Sequence, residues 1–326
     1  MFEWEKLGRI FNPLEVPDRP KWMNEFAQAP AVLIFENFVR VYFSCRPAPD
    51  VNRQYKSYSG FVDLNRKNLF EIINYSKEPV LRLGDIGTFD EFGTYPISVI
   101  MNENKVLVYY GGWTRCESVP FNVAIGYGES TDGGVTFNKI GNGPILSYTP
   151  DEPFVISGPK IRRFKDKWFL WYIAGRKWII ADGRPEIIYK IRMAYSSNGL
   201  DWKKYNSDLI KDKLGMDEAQ ASPDVFYHNG KYHMFFCYRQ ADDFRRNKER
   251  SYRIGYASSE DIYNWESEDS KVGIDVSEFG WDSEMVAYPH VFKLDGKIFM
   301  LYLGNQVGRY GFGLAELKKI NGEAVK

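Results

Sequence analysis

A proline that opens an apolar strand occurs five times in this chain, at Pro30, Pro96, Pro159, Pro223 and Pro289, with successive gaps of 66, 63, 64 and 66 residues. A fixed period constrains the fold more than any single motif, because each repeat must bury its apolar face against its neighbours. Each apolar strand runs into a small polar turn: Glu36-Asn37, Asn102-Glu103-Asn104, Lys165-Asp166, Asn229-Gly230 or Asp295-Gly296. An aromatic-rich second strand follows, at Val41-Tyr42-Phe43, Val108-Tyr109-Tyr110, Leu170-Trp171-Tyr172, Met234-Phe235-Phe236 and Met300-Leu301-Tyr302. Two β-rich runs joined in this way form a hairpin. Third strands are marked by Phe61, Tyr127, Tyr195, Tyr256 and Leu314, and turns such as Asp132-Gly133 and Asn198-Gly199 follow them. Those dipeptides supply the positive φ that tight turns need. A fourth strand is expected at Pro79-Val80-Leu81 and Pro144-Ile145-Leu146.

Four antiparallel strands per unit, repeated radially, predict an all-β chain folded as one five-bladed β-propeller over residues 1–326. The blades are expected near 25–81, 91–146, 154–210, 218–275 and 284–317. The last unit is one strand short, and residues 8–16 lie where the other units place a fourth strand. That segment is expected to complete the fifth blade, closing the ring and removing a sheet edge.

The charge balance, 43 basic against 43 acidic residues, creates no global field toward nucleic acid or an anionic membrane. No apolar run reaches membrane-spanning length. The start, Met1-Phe2-Glu3-Trp4-Glu5-Lys6, has no apolar core of a secretory signal, so a cytoplasmic location is expected. Cys45, Cys116 and Cys237 show no metal-ligand spacing, and neither a metal nor a cofactor is expected. Cys45 and Cys237 read as small buried repeat positions. His290 follows a marker proline and is placed either at the axis or in the core, while His228 and His233 flank a hairpin turn and are expected at the surface.

In a propeller the first strand of each blade lines the central channel. Residues entering that strand therefore share one rim with residues leaving the second strand. Five places before the marker prolines stand Glu25, Glu91, Phe154, Glu218 and Glu284. Gln28, Tyr95 and Tyr288 lie nearer the prolines, and Arg46, Trp113, Arg176, Arg239 and Asn305 leave the second strands. Carboxylates can act as acid and base, aromatics can stack on sugar rings, and arginines can grip phosphate or carboxylate. The catalytic candidates are Glu218, Glu284 and Asp90. The binding candidates are Glu25, Gln28, Arg46, Glu91, Tyr95, Trp113, Arg176, Arg239, Tyr288 and Asn305. The charged stretch Asp242 to Arg250 reads as a solvated loop or a lid over the rim.

The blade rhythm, the turn Ser130-Thr131-Asp132-Gly133 and the opening Trp22-Met23-Asn24-Glu25 resemble the five-bladed propeller glycoside hydrolases of families 32, 43, 68 and 130. Arg40-Val41-Tyr42-Phe43-Ser44-Cys45-Arg46 and Gly280-Trp281-Asp282-Ser283-Glu284 resemble a branch found among polysaccharide-biosynthesis proteins. The resemblance implies the same fold and a glycan or sugar phosphate as ligand. The invertase-like and arabinanase-like families place acids directly before the blade proline. Here those places hold Ala29, Tyr95, Ser157-Gly158, Ser222 and Tyr288.

Three functions stay open at this point. The first is a glycoside hydrolase with a carboxylate pair, retaining at separations of about 5–5.5 Å and inverting at about 6.5–9.5 Å. The second is a glycosyl or phosphosugar transferase, or a phosphorylase, whose rim arginines hold phosphate. The third is a non-catalytic glycan-binding propeller.

Overall fold

Alternating apolar runs separated by Asn-Gly, Asp-Gly and Lys-Asp turns leave the chain one economical arrangement, a series of antiparallel meanders. The computed structural model describes residues 1–215 and 217–324 and contains five separate sheets. After β1 (Phe2–Phe11), the first blade holds β2 (Glu25–Ile34), β3 (Phe38–Arg46), β4 (Tyr58–Asn65) and β5 (Asn68–Tyr75). The second holds β6 (Gly93–Asn102), β7 (Lys105–Thr114), β8 (Asn122–Ser130) and β9 (Asn138–Lys139). The third holds β10 (Phe154–Phe164), β11 (Lys167–Ala181), β12 (Arg184–Ser196) and β13 (Lys203–Tyr205). The fourth holds β14 (Glu218–His228), β15 (Lys231–Gln240), β16 (Arg253–Ser259) and β17 (Glu266–Ser267). The fifth holds β18 (Ala287–Leu294), β19 (Lys297–Leu303) and β20 (Phe312–Ile320).

β1 pairs antiparallel with β20, from Phe2 opposite Ile320 to Phe11 opposite Phe312, and so supplies the missing strand. Closure by the N-terminal segment is as expected, but the strand begins earlier than residue 8 and ends at Phe11. Pro13, which cannot donate to a ladder, starts a short 3-10 turn instead. The expected fourth strands are also displaced. Residues 79–81 and 144–146 are connectors that bond to the third strand at single points, Val80 N to Ser59 O and Ile125 to Leu146. The true fourth strands are β5, whose Phe70, Ile72 and Ile73 are exposed, and the two-residue polar β9, so neither shows the alternating burial of an inner strand.

The marker prolines have a geometric cause. Each innermost strand breaks its register beside its proline, between Gln28 and Ala31, Thr94 and Ile97, Ser157 and Lys160, Ala221 and Asp224, and Ala287 and His290. Ala29, Gly158, Ser222 and Tyr288, each directly before its proline, have φ of 50°, 63°, 49° and 52°. Three of these four are not glycine, so the backbone holds a costly conformation in a ring around the axis, as functional sites often do. These bulges re-aim the side chains on either side of them.

The residues that follow the prolines meet on the axis. Asp224 is fully buried and accepts from Val291 N at 2.6 Å, and it pairs with Arg162 and with His290 Nδ1 at 3.0 Å. Lys160 Nζ lies 3.3 Å from Pro30 O and 3.2 Å from His290 Nδ1. Val32 N donates to His290 Nε2 at 3.0 Å, so that nitrogen carries no proton and Nδ1–H faces Asp224. One polar cluster thus ties the third, fourth and fifth blades to the first.

Candidate functional site

Above this cluster the bulges turn another ring of side chains toward the same face. Arg46, at the end of β3, is half-buried. Its guanidinium lies over Phe26 at 4.6 Å, Trp113 at 5.3 Å, Tyr55 at 5.4 Å and Tyr95 at 6.0 Å from the ring centroids. Its hydrogen bond, 3.1 Å, goes to Gln28 Oε1, and Gln28 Nε2 is held by Val307 O at 2.6 Å. Among the described residues Arg46 makes no ion pair. Burial pulls its pKa down, while the Tyr95, Tyr288 and Tyr55 hydroxyls and Glu25 act the other way. Glu25 lies opposite Arg46 in the ladder but accepts from Tyr55 at 2.8 Å and pairs with Arg309 at 2.8 Å.

Tyrosines complete the ring. Tyr95 is pushed up to about 12 by burial, against the Tyr288 hydroxyl and Arg46, and Tyr189 is another neighbour. Tyr252 and Tyr189 also neighbour Tyr288, whose pKa burial raises. The structure therefore brings together Gln28, Arg46, Tyr95, Trp113 and Tyr288 of the expected set, with Glu25 beside them. Tyr55, Tyr189 and Tyr252 join them without having been expected. Tyr189 and Tyr252 belong to or border the third strands of the third and fourth blades and stand 63 residues apart, one repeat period, which was the available sequence signal.

The other expected residues are engaged elsewhere. Asp90 is buried; it accepts from Tyr110 OH at 2.8 Å and Thr88 Oγ1 at 3.1 Å and pairs with Lys139. The same device recurs as Glu152 with Tyr172 and Lys204, and as Asp282 with Tyr302 and Lys6. In each case the acid precedes its tyrosine by 20 residues, and the lysine comes from the outermost strand. At the same spacing the first and fourth units have Met23 with Phe43 and Met216 with Phe236, so acid and hydroxyl are replaced together in the sequence. Asp90 is thus a clamp across its blade, and this spacing was the available sequence signal. Asp90→Asn is expected to cost about 1–3 kcal/mol of stability, measured by urea unfolding, with ligand binding retained. Lost binding at unchanged stability would return Asp90 to the pocket.

Glu218 is buried; its Oε2 accepts from Lys213 N and Leu214 N at 2.9 and 2.8 Å, and its Oε1 accepts from Gln220. Glu284 is exposed, its backbone N bonded to Asn305 Oδ1 at 2.8 Å, so Asn305 serves as a loop clasp. The two glutamates share no partner among the described residues. Glu91 accepts from Gly87 N at 2.9 Å. Arg176 pairs with Asp208. Arg239 is sealed in: it donates to Gln240 O and Ala241 O, approaches Glu186 at 3.9 Å and lies 3.7 Å over Phe244.

Phe244 belongs to the charged insertion, which docks on the long β11–β12 hairpin through Arg245 and Glu186 at 3.0 Å. A cleft of about 380 Å³ remains between insertion and hairpin, lined in part by Arg184, Asp182 and Arg246. Cys45 and Cys237 are buried as expected and donate to Glu25 O and Ala221 O; burial pushes both thiols up to about 12. His233, expected at the surface, is buried against Phe2 and bonded to Tyr256 OH at 2.8 Å. Among the described residues no group of three or more His, Cys, Asp or Glu side chains is placed to hold a metal, and no helix is long and apolar enough to cross a membrane.

The axial cluster predicts a pH response. Burial and Lys160 hold His290 down to about 4, against about 6.5 in an unfolded chain. The neutral imidazole costs the fold nothing above about pH 6.5, and stability is lost as the pH falls toward 4 and the unfolded chain takes up the proton. Asp224 is held well below the usual carboxylate range by Arg162 and His290, against burial, and adds a further loss below about pH 4. Lys160, lowered to about 8 by burial, acts in the alkaline range, where stability rises between about pH 8 and 10. Melting curves should fall from pH 6.5 to 4. A flat profile there contradicts a neutral His290.

No protein-family model matches the chain. Two proteins of Mycobacterium tuberculosis, uncharacterized protein Rv1502 of strain H37Rv and uncharacterized protein MT1551 of strain CDC 1551, are each 34% identical to it over 316 residues, covering 97% of this chain and 99% of the relative. Among solved structures, one described as a glycoside hydrolase superposes with a TM-score of 0.74 at 16% identity, covering 98% of this chain and 94% of that one. A thermostable family-43 glycoside hydrolase gives 0.63 at 16% identity, with 93% and 95% covered.

Proposed function

This chain belongs to the family of the two mycobacterial proteins and has the five-bladed propeller fold of glycoside hydrolases, and from that premise we propose that its axial pocket handles a carbohydrate bearing a phosphate or carboxylate. The observation that carries this reading is Arg46. A partly desolvated guanidinium with one amide oxygen as partner and no ion pair among the described residues is costly unless an anion completes it. An incoming phosphate or carboxylate can accept two parallel bonds from its fork. The phenols of Tyr95 and Tyr288 and the Trp113 ring supply the polar points and apolar faces that sugars require.

Hydrolysis by a carboxylate pair draws less support. Glu218 and Asp90 already bond to the scaffold, and Glu284 is exposed. Glycosyl or phosphosugar transfer, phosphorolysis or recognition fits better, with a place in polysaccharide biosynthesis and in the cytoplasm as part of the same proposal. Thermal melting with glucose 1-phosphate, glucuronate, inorganic phosphate and glucose tests it. The anionic compounds should raise the melting temperature by about 5 °C at a hundredfold excess over Kd. Equal shifts with neutral glucose, or none with any anion, would sink the reading.

A further inference from the structure

The tyrosine ring has a fixed proton direction on one side. Arg239 Nε donates to the Tyr252 hydroxyl oxygen at 3.0 Å, and an arginine Nε can only donate. The Tyr252 and Tyr189 oxygens lie 3.0 Å apart, and either could in principle be the donor. Tyr252 is buried, and among the described residues the Tyr189 oxygen is the acceptor within reach of its O–H. If Tyr189 donated instead, the proton of Tyr252, the more deeply buried of the two at 3% against 7%, would be left without an acceptor, a cost of about 1–3 kcal/mol, whereas the Tyr189 proton has the Tyr95 and Tyr288 phenols as neighbours. The bond therefore runs from Tyr252 to Tyr189. The Tyr189 proton is left over, and its neighbours are the Tyr95 and Tyr288 phenols around the axis.

We propose that Tyr189 is the directional hydrogen-bond donor of the axial pocket, presenting its hydroxyl proton to a ligand oxygen, with Arg239 and Tyr252 as positioning residues behind it. Arg239 is held by Gln240 O, Ala241 O, Glu186 and the Phe244 ring, so the chain Arg239–Tyr252–Tyr189 is anchored to the docked insertion. Each bond polarises the next, so the last hydroxyl donates more strongly than an isolated phenol. This gives the buried Arg239 a role at the pocket without contact with the ligand. The identity of that ligand rests on the proposed function; the direction of the protons does not.

Neutron diffraction from crystals of the full chain exchanged into D2O reads the direction with no ligand present. The expected map shows the Tyr252 deuteron between the two phenol oxygens and the Tyr189 deuteron turned toward the axis. A bridging deuteron bonded to Tyr189 overturns the inference. Calorimetry with glucose 1-phosphate as probe gives the second reading. Tyr189→Phe should weaken it about tenfold, and Tyr252→Phe, which frees the Tyr189 hydroxyl to rotate, should weaken it by a smaller factor. Wild-type affinity in Tyr189→Phe overturns the inference while leaving the Arg46 reading intact. Failure of the probe to bind the wild-type protein counts against the Arg46 reading, and the neutron map still decides the proton direction.

Discussion

Deleting residues 1–11 is expected to unfold the whole ring rather than fray one blade. β1 is the outer strand of the fifth blade, yet its side chains also grip both neighbouring blades. Phe2 packs edge-on against Phe235 and Tyr256 of the fourth blade, with ring centroids 5.1 and 4.8 Å apart, and Trp4 meets Phe235 at 5.5 Å. At the other end Phe11 lies 4.7 Å from Phe43 of the first blade and 5.3 Å from Phe312. Phe2, Ile10 and Phe11 are buried. Each large side chain removed from such a core costs about 3–5 kcal/mol, and a domain has only about 5–15 to lose. Insoluble protein, or a melting temperature lower by on the order of 10 °C or more, is the expected result. A truncated protein that melts like the full chain contradicts closure by β1.

The second large effect is expected at the axis. Asp224→Ala leaves the buried Lys160 and the half-buried Arg162 without their shared counter-charge, and removes the acceptors of Val291 N and His290 Nδ1. Breaking a buried charge cluster from one side costs about 3–5 kcal/mol. Asp224→Asn keeps an acceptor but not the charge, so it should fall between alanine and wild type. Urea unfolding measures both. A loss below about 1 kcal/mol for the alanine variant would place the cluster among groups that water can reach.

Much of the fold could be read from the sequence because the bulge before each proline has to recur in every blade. That single backbone requirement set the period of Pro30, Pro96, Pro159, Pro223 and Pro289. The outer strands were harder, since β9 is two residues of polar sequence with no apolar alternation to announce it.

The site was legible by level but not by direction. Spacing put Arg46 and Arg239 on equivalent strand ends, and both do leave second strands. What separates them is Glu186 and Phe244, which meet Arg239 from the extended β11–β12 hairpin of the third blade and the insertion of the fourth, neither matched in the first blade. Glu218 and Asp90 show the same limit. A carboxylate's partner is fixed by loop geometry, here Lys213 N and Leu214 N or the outer-strand Lys139, and not by its place in the period. The 20-residue spacing from acid to tyrosine is visible in the sequence and marks Asp90 as part of a clamp that recurs in three blades.

If Arg46 waits for the anionic group of a sugar, calorimetric titration of wild type and Arg46→Gln with a sugar phosphate and its neutral parent must separate the two proteins. Glutamine keeps a donor and much of the side-chain length while removing the charge and the fork. Arg46→Gln should lose about 10- to 100-fold in affinity for the sugar phosphate, as a charge-assisted bond of about 1.5–3 kcal/mol implies, with little change for the neutral sugar. Equal affinity of the two proteins for the sugar phosphate would contradict that role of Arg46.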